Sequence, residues 1–279
     1  MVDICYSQNF YKNANHLKEM VKNASFSSDD IVLDIGAGKG VIAQELSKYS
    51  DNVTAFELDT KYFRELTKNL SSLPIKLIND DFLLTNLPTK DFKIFSNIPF
   101  ALTSEIINKI TAIDSSLIEA FLFVQEEAAD RFLGEPFNTQ IATILSSRYT
   151  FSIVEELDRY DFSPVPSVDI VLLKIVKREN PEVEFELYRD FVSYIFNQTN
   201  RFVIDTLKKI FTEKQMKYIK KYLLEKGYNT PSDIPRRYYL EIFQYFKMNG
   251  DNYKKKVRGY YQKHTEQHSK REKVNRTRI

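Results

Sequence analysis

The chain has 279 residues, of which 43% are hydrophobic and 28% are charged, and its formal net charge is +2. This length allows one large or two modest domains with a sizeable core, and the composition is typical of a globular protein. No apolar run approaches the ~20 residues that span a bilayer, and the single cysteine, Cys5, excludes an internal disulfide. We therefore expect a cytoplasmic protein without a membrane segment.

Helices and strands are predicted to alternate over the first 180 residues. The predicted strands are Ile31–Ile35, Val53–Glu57, Ile75–Ile78, Phe92–Phe95, Leu117–Val124, Tyr149–Leu157 and Val168–Val176. The predicted helices are His16–Ala24, Val41–Tyr49, Tyr62–Leu70, Ser104–Ile110 and Glu126–Phe132. This alternation predicts an α/β fold with a doubly wound parallel sheet, whose ligand lies at the carboxyl ends of the strands.

The pattern changes after residue 180. Residues 185–248 carry apolar side chains at helical spacing without a strand pattern, which predicts a small all-helical domain. Residues 251–279 then hold ten Lys or Arg against three Asp or Glu, a net +7, which leaves −5 for the rest. This basic segment fits an electrostatic arm for a polyanion, but equally a disordered tail that keeps the protein soluble.

A glycine-rich motif follows the first predicted strand. Asp34–Gly40 reads Asp-Ile-Gly-Ala-Gly-Lys-Gly, at a strand-to-helix junction where a backbone can approach a ligand closely. Its spacing differs from the dinucleotide fingerprint, and it lacks the Gly-Lys-Ser/Thr of a phosphate loop. We expect Asp34, Gly36 and Gly38 to hold the amino-acid part of a cofactor; the alternative is a glycine turn required only for packing.

Acidic residues follow the next two predicted strands. Glu57 is placed to accept hydrogen bonds from both hydroxyls of a ribose. One of Asp80 and Asp81 can bind an adenine amino group while Phe82 packs against the ring, although a loop with a helix cap remains an alternative. Asp59 is interpreted as a helix cap and not as a ligand.

Ser96–Phe100 reads Ser-Asn-Ile-Pro-Phe after the fourth predicted strand. An exocyclic adenine nitrogen is a poor nucleophile because its lone pair is delocalised into the ring. The side-chain carbonyl of Asn97 and the backbone carbonyl of Ile98 can accept its two N–H bonds and localise that pair. Pro99 fixes the turn, and Phe100 can stack on a flipped-out base. With the glycine motif, this segment predicts a methyltransferase that acts on the exocyclic amine of a base.

No other catalytic pattern stands out in the sequence. His16, His264 and His268 have no cysteine or acid pattern of a metal site around them. There is no G-x-S-x-G nucleophile motif. Gln125, Glu126 and Glu127 could line the mouth of a pocket, but they are interpreted as the opening of a helix.

Taken in their order along the chain, the motifs resemble those of the rRNA adenine N6-dimethyltransferases. Among these they resemble the erythromycin-resistance (Erm) methyltransferases. The resemblance covers residues 6–177 and continues through Ile210–Met216. The matching segments are Ser7–Phe10, Asp34–Gly40, Glu57, Asp81, Ser96–Phe100 and Phe162–Asp169.

The resemblance implies a Rossmann-like class I methyltransferase sheet with a small C-terminal all-helical domain. Residues 1–180 would bind S-adenosylmethionine and catalyse, residues 181–250 would bind RNA, and residues 251–279 would form the basic tail. The substrate would be one adenosine of 23S rRNA in precursor or unassembled large-subunit RNA. Methylation at N6 by a monomer would give macrolide, lincosamide and streptogramin B resistance.

The site residues implied by the resemblance form two sets. Asn97, Pro99 and Phe100 would face the target base; many members have Tyr at the position of Phe100, so the stacking face is kept and the hydroxyl is lost. Within the cofactor set, Gln8 and Asn9 would contact the methionine end of S-adenosylmethionine. That set is Gln8, Asn9, Gly36, Gly38, Glu57, Leu58, Asp81, Phe82 and Asn97.

Two other functions remain as alternatives. The first is a small-subunit rRNA dimethyltransferase, against which stand Ile98, where that branch usually has Leu, and residues 211–216. The second is a non-catalytic nucleic-acid-binding relative. The presence of Gly36, Gly38, Glu57 and Asn97 argues against such a protein.

Overall fold

The computed structural model describes residues 9–179 and 184–267. The strands are, in chain order, β1 Phe10–Tyr11, β2 Ile31–Ile35, β3 Asn52–Phe56, β4 Lys76–Ile78, β5 Phe92–Asn97, β6 Leu117–Gln125, β7 Tyr149–Leu157, β8 Phe162–Ser163 and β9 Ile170–Lys177. The helices are α1 Ala14–Asn23, α2 Val41–Leu46, α3 Thr60–Leu70, α4 Thr103–Ile110, α5 Glu126–Leu133, α6 Gln140–Leu145, α7 Phe185–Phe196, α8 Val203–Leu207, α9 Glu213–Glu225, α10 Arg236–Lys247 and α11 Asp251–Val257.

The chain divides into two compact units. The first comprises residues 1–130 and 150–177, and the second comprises residues 131–149 and 178–279. The predicted change near residue 180 therefore lies close to the second boundary. Residues 131–149, which the sequence analysis placed with the sheet, belong instead to the helical unit.

The first unit is built on a seven-stranded sheet of order β4-β3-β2-β5-β6-β9-β7. Strands β2 to β6 pair in parallel with their neighbours, whereas β9 runs antiparallel to β6. The side chains of Val32, Leu33 and Ile35 are all buried, as expected for a central parallel strand that is covered on both faces. The predicted Rossmann-like sheet is thus confirmed.

A second, two-stranded sheet joins distant parts of the same unit. Residues of β1 and β8 pair antiparallel, Phe10 with Ser163 and Tyr11 with Phe162. The ring of Tyr11 packs against Phe123 and Phe162, with ring centroids 5.1 and 5.0 Å apart. This pairing brings the N-terminal segment to the carboxyl end of the main sheet.

The helix-start predictions agree with the structure. The Asp59 side chain caps α3 by accepting hydrogen bonds from the amides of Lys61 and Tyr62. Helix α5 begins at Glu126. The preference of acidic side chains for helix N-termini accounts for both starts.

The second unit is all-helical around an aromatic core. Phe191 of α7 packs against Phe243 and Phe246 of α10, with ring centroids 5.3 and 5.0 Å apart. Ile144 of α6 belongs to the same core. Buried Asn138, just before α6, donates to the Ile234 carbonyl at 3.1 Å, which explains why residues 131–149 belong to this unit.

The predicted disordered tail is corrected for residues 251–267. Residues 251–257 form α11, whose Val257 is fully buried, and residues 260–267 are helical. The carboxylate of Asp190 accepts hydrogen bonds from the amides of Gly259 at 2.7 Å and Tyr261 at 3.0 Å. This segment folds because one apolar side chain and a carboxylate from α7 anchor it. Residues 268–279 lie outside the described residues.

Candidate functional site

The glycine motif forms a tight loop between β2 and α2. Gly36 and Gly38 have φ of +73° and +55°, a backbone region that glycine adopts without strain. A Cβ on Gly38 would lie 2.6 Å from the Phe10 ring, and one on Gly36 would lie 3.2 Å from Pro99. The loop is therefore approached closely by the N-terminal segment and by the Asn97–Phe100 turn.

Glu57 is fixed between two loops at the carboxyl end of β3. Its Oε2 accepts a hydrogen bond from the Gly38 amide and its Oε1 from the Asp59 amide, both at 2.8 Å. The side chain is 2% exposed. Burial raises the pKa of Glu57, and the backbone amides oppose that shift. The result is a rigid acceptor next to the glycine loop.

A first cavity lies along the carboxyl ends of β2, β3 and β4. Phe82 packs edge-on against Phe56 with ring centroids 5.2 Å apart, and Asp81 caps the following turn by accepting from the Leu83 amide at 2.8 Å. The helix-cap alternative for Asp81 is thus observed, while the same residue still faces the cavity. The predicted residues that line it are Gly36, Glu57, Leu58, Asp81, Phe82 and Pro99.

A second cavity lies on the other side of the glycine loop. It is lined by Asp34, Gly36, Asn97, Phe10 and Ser163, among others. Gly36 lines both cavities. Residues predicted for cofactor and base are thereby brought to one edge of the sheet.

The side chain of Asn97 is oriented by the N-terminal segment. Its Nδ2 donates to the Asn9 carbonyl at 2.6 Å, and Asn9 in turn donates to the Pro164 carbonyl at 2.7 Å. A carbonyl oxygen only accepts hydrogen bonds, so the amide nitrogen must face Asn9. Oδ1 of Asn97 is therefore the atom left to accept a hydrogen bond from a substrate.

The turn after Asn97 is held by its own backbone. The Leu102 amide donates to the Pro99 carbonyl at 2.9 Å, and the Thr103 hydroxyl donates to the Phe100 carbonyl at the same distance. Phe100 is half-buried against the core of the first unit. Part of Phe100 is therefore exposed in this turn, and the residue lines neither of the two cavities.

Asp34 is a buried carboxyl group on the wall of the second cavity. It is 1% exposed, and neither oxygen has a hydrogen bond of normal geometry within the described residues. Burial raises its pKa to about 7, and the nearby Glu57 charge adds to the shift. Such a group fits a cationic ligand, which would favour its charged form.

Three further residues of the matching motifs are Gln8, Ser163 and Ser96. Gln8 lies outside the described residues. The sequence reasoning did not assign Ser163, although it lies within a matching motif, because a two-residue strand carries no periodicity. The sequence does not predict a role for Ser96, whose hydroxyl accepts a hydrogen bond from the Ile35 amide at 2.7 Å and so connects β5 to β2.

Residues 9–179 and 184–267 contain neither a metal-binding cluster nor a membrane-spanning helix. No three His, Cys, Asp or Glu side chains there are grouped so as to hold a metal ion. None of the helices in these ranges combines the length and apolar character that crossing a bilayer requires.

The sheet order is that of the Rossmann-like methyltransferase fold. Over 86% of the chain the fold matches the whole of a crystal structure of the 23S rRNA methyltransferase ErmE, with a TM-score of 0.77 and 23% sequence identity. A family model for ribosomal RNA adenine dimethylase matches residues 3–248. The chain belongs to this family.

Curated relatives agree with the family. The rRNA adenine N-6-methyltransferase of Bacillus licheniformis is 30% identical over 241 residues, which cover 85% of this chain and 84% of the relative. The ribosomal RNA small subunit methyltransferase A of Mycoplasmopsis pulmonis is 29% identical over 216 residues, which cover 76% and 85%. The chain is thus an S-adenosylmethionine-dependent rRNA adenine N6-methyltransferase, which confirms the predicted enzyme class and cofactor.

Proposed function

We propose that the chain methylates N6 of one adenosine in 23S rRNA and thereby confers macrolide, lincosamide and streptogramin B resistance. The observation that supports N6 as the target atom is the fixed amide of Asn97, whose Oδ1 is presented as an acceptor. The substrate form would be precursor or unassembled large-subunit RNA, and the protein would act as a monomer in the cytoplasm.

The cofactor residues are assigned from the two cavities. S-adenosylmethionine supplies an electrophilic methyl group on its sulfonium. Asp34 would hold the amino group of its amino-acid end beside the glycine loop, and Glu57 would accept hydrogen bonds from the ribose hydroxyls. Asp81 and Phe82 would hold the adenine in the first cavity.

The base-binding residues act on the amine of the target adenine. Asn97 Oδ1 and the Ile98 carbonyl would each accept one N–H bond, which draws the lone pair out of conjugation with the ring. Stacking on Phe100 would hold the flipped-out base in place. Pro99 has no N–H that competes for these acceptors. The amine is thus oriented by acceptors that are set before the base enters.

The choice of 23S rRNA rests on features of the sequence. Ile98 and the segment 211–216 resemble the Erm branch, and in the structure Thr212 and Gln215 of this segment form the capping box that begins α9. Relatives carry names from both branches. A small-subunit dimethyltransferase therefore remains the second candidate.

The test is primer extension on both rRNAs from a macrolide-sensitive bacterial host that expresses the chain. We expect a new stop at one adenosine of 23S rRNA together with a raised inhibitory concentration of a macrolide. Expression of Asn97→Ala at the same level should give neither. A stop at adjacent adenosines of 16S rRNA in a host lacking its own dimethyltransferase, with unchanged 23S rRNA, would establish the second candidate instead.

A further inference from the structure

The second unit carries a groove between α9 and α10 that the methyl-transfer site does not use. Most of its lining side chains are tyrosines, and we call it the tyrosine groove. It is lined by Tyr218, Tyr222, Tyr238, Tyr245, Ile242 and Glu241, among others.

Helical spacing explains why α9 contributes two rings to this groove. Met216, Ile219 and Leu223 face the core of the unit. Tyr218 and Tyr222 are four residues apart, so they lie one above the other on the neighbouring face of the helix. The tyrosine groove thus lies next to the core, and two core residues, Ile219 and Ile242, also line it.

The rings of the tyrosine groove are accessible. Tyr218 is 66% exposed and Tyr245 is 47% exposed. Tyr222 and Tyr238 pack edge-to-face with ring centroids 4.8 Å apart. Exposed aromatic faces in a groove are what base stacking requires.

Positive charge surrounds the tyrosine groove. The guanidinium carbon of Arg237 lies 4.8 Å from the centre of the Tyr238 ring, and its Nη2 donates to the Tyr238 hydroxyl at 3.1 Å. Lys226 caps the end of α9, four residues after Tyr222. Over the described residues, the second unit holds 20 Lys or Arg against 12 Asp or Glu, a net +8. A polyanion is therefore the complementary partner.

We propose that the tyrosine groove binds an unpaired base of the RNA substrate by stacking, while the surrounding cations contact the flanking phosphates. This inference rests on the proposed action on rRNA but concerns a second contact, separate from the target base. The lining of rings and Ile242 suits the flat face of a base. Glu241 would repel a phosphate within the groove but can accept a hydrogen bond from a base amine.

The test compares alanine and phenylalanine variants of the two exposed tyrosines in the full chain. Affinity for a protein-free 23S rRNA transcript is measured at equilibrium, together with affinity for S-adenosylmethionine. We expect Tyr218→Ala and Tyr245→Ala each to weaken RNA binding about tenfold, because stacking on one ring is lost. Tyr218→Phe keeps the ring and should bind within about twofold of the wild type.

Two exposed residues provide matched controls. Tyr160 of the first unit is 65% exposed and also lies beside an arginine, Arg159. Leu224 is 59% exposed and lies on the opposite side of α9 from Tyr218 and Tyr222. Tyr160→Ala and Leu224→Ala should leave RNA affinity unchanged. All four alanine variants should keep the circular dichroism spectrum and the cofactor affinity of the wild type.

The salt dependence of RNA affinity distinguishes base stacking from phosphate contacts. The tyrosine variants should keep the wild-type slope of log affinity against log salt, because they lose no phosphate contact, whereas Arg237→Ala should make the slope shallower. A double variant, Tyr218→Ala with Tyr245→Ala, that binds RNA as tightly as the wild type would overturn the proposal. That result would also be expected if the groove bound another protein.

The two proposals fail in different ways. If the wild type methylates 23S rRNA and the double variant binds RNA normally, the groove proposal alone is wrong. If the wild type leaves 23S rRNA unmethylated but both tyrosine variants lose RNA affinity, the groove proposal holds and the assignment to 23S rRNA is wrong.

Discussion

At the scale of single residues, one hydrogen bond determines what Asn97 can do. Because its Nδ2 is committed to the Asn9 carbonyl, the acceptor atom is fixed before a substrate arrives. Phe100 follows three residues later in the same turn, and its side chain is half-buried. The geometry thus combines an oriented acceptor with a stacking face.

Phe100 should tolerate Tyr and fail with Ala. Either ring provides the stacking face, and stacking of a base on an aromatic side chain contributes about 1–3 kcal/mol by alanine substitution. We expect kcat/KM for rRNA to fall at least fivefold in Phe100→Ala and to stay near the wild-type value in Phe100→Tyr. Wild-type turnover by Phe100→Ala would show that the target base does not lie on this ring.

Glu57→Ala should weaken S-adenosylmethionine binding before it affects the methyl-transfer step. Hydrogen bonds to a charged group contribute about 1.5–3 kcal/mol, so the cofactor Kd should rise roughly 10- to 100-fold in calorimetry. Glu19→Ala, which alters an exposed residue of α1 outside both cavities, is the control. An unchanged Kd in Glu57→Ala would remove Glu57 from the site.

The buried carboxyl of Asp34 should make cofactor affinity depend on pH. Its pKa is raised to about 7 without a ligand, and a cationic amino group requires its charged form. Affinity should therefore fall as the pH drops below 7, by up to about tenfold per unit. Burial also raises the pKa of Glu57. The contribution of Asp34 is therefore the difference between the pH profiles of cofactor affinity for the wild type and for Asp34→Asn. A wild-type profile that is flat from pH 5.5 to 8.5 would contradict this assignment.

The raised pKa of Asp34 should also make the ligand-free protein less stable as the pH rises, whereas it makes cofactor affinity increase with pH. A carboxyl group whose pKa rises from 3.8 to about 7 on folding holds its proton more tightly in the folded state. The free energy of unfolding should therefore fall as the pH rises through this range, by at most about 1.4 kcal/mol per unit. Urea unfolding of Asp34→Asn should show a weaker decline over the same pH range. Equal declines for both proteins would show that Asp34 does not titrate in this range.

At the scale of elements, the C-terminal helices determine how far the chain can be shortened without a loss of stability. Deleting residues 252–279 removes buried Val257 and leaves the Asp190 carboxylate without its two amide donors. An unsatisfied buried group costs about 1–3 kcal/mol, so urea unfolding should show a destabilised protein. Deleting only residues 268–279 removes neither contact, and it should leave the free energy of unfolding unchanged.

The shorter deletion also tests the electrostatic-arm hypothesis. Residues 268–279 hold five Lys or Arg and one Glu, a net +4. If they contact phosphates, the slope of log affinity for rRNA against log salt should become shallower by about 0.7–0.9 for each lost contact. Equal slopes for both proteins would support a tail that only keeps the protein soluble.

Much of the first unit was predictable because its strands are buried apolar runs. The bounds of Ile31–Ile35 are those predicted, and the other predicted strands of the main sheet are found within two residues of their expected ends. Parallel order places the carboxyl ends together, so Glu57 and Asn97 were expected at one edge. The motifs that predict the site lie at this edge because each follows such a strand.

Other elements left no local signal in the sequence. The pairing of β1 with β8 involves two residues on each side, too few for a periodic pattern. Helix α6 has only six residues, and its place in the second unit depends on Ile144 and Asn138. The orientation of Asn97 depends on a backbone carbonyl 88 residues away. Each of these is a tertiary contact, which local periodicity cannot reveal.

At the scale of the whole molecule, charge separates between the two units. Over the described residues, the first unit holds 15 Lys or Arg against 23 Asp or Glu, a net −8, whereas the second has a net +8. The formal charge of +2 for the chain conceals this division. RNA affinity should therefore depend on the second unit, while the acidic side chains of the first, such as Asp34 and Glu57, fit a cationic and hydroxyl-rich cofactor.

The central claim is that Asn97 orients the N6 amine of an adenosine in 23S rRNA. The most direct measurement is methyl transfer from labelled S-adenosylmethionine to protein-free 23S rRNA, with the products identified as nucleosides by mass spectrometry. We predict N6-methylated adenosine with the wild type and at least ~100-fold slower transfer with Asn97→Ala, at nearly unchanged cofactor affinity. More than about a tenth of the wild-type rate in Asn97→Ala would contradict the account, as would methylation at another atom of the base.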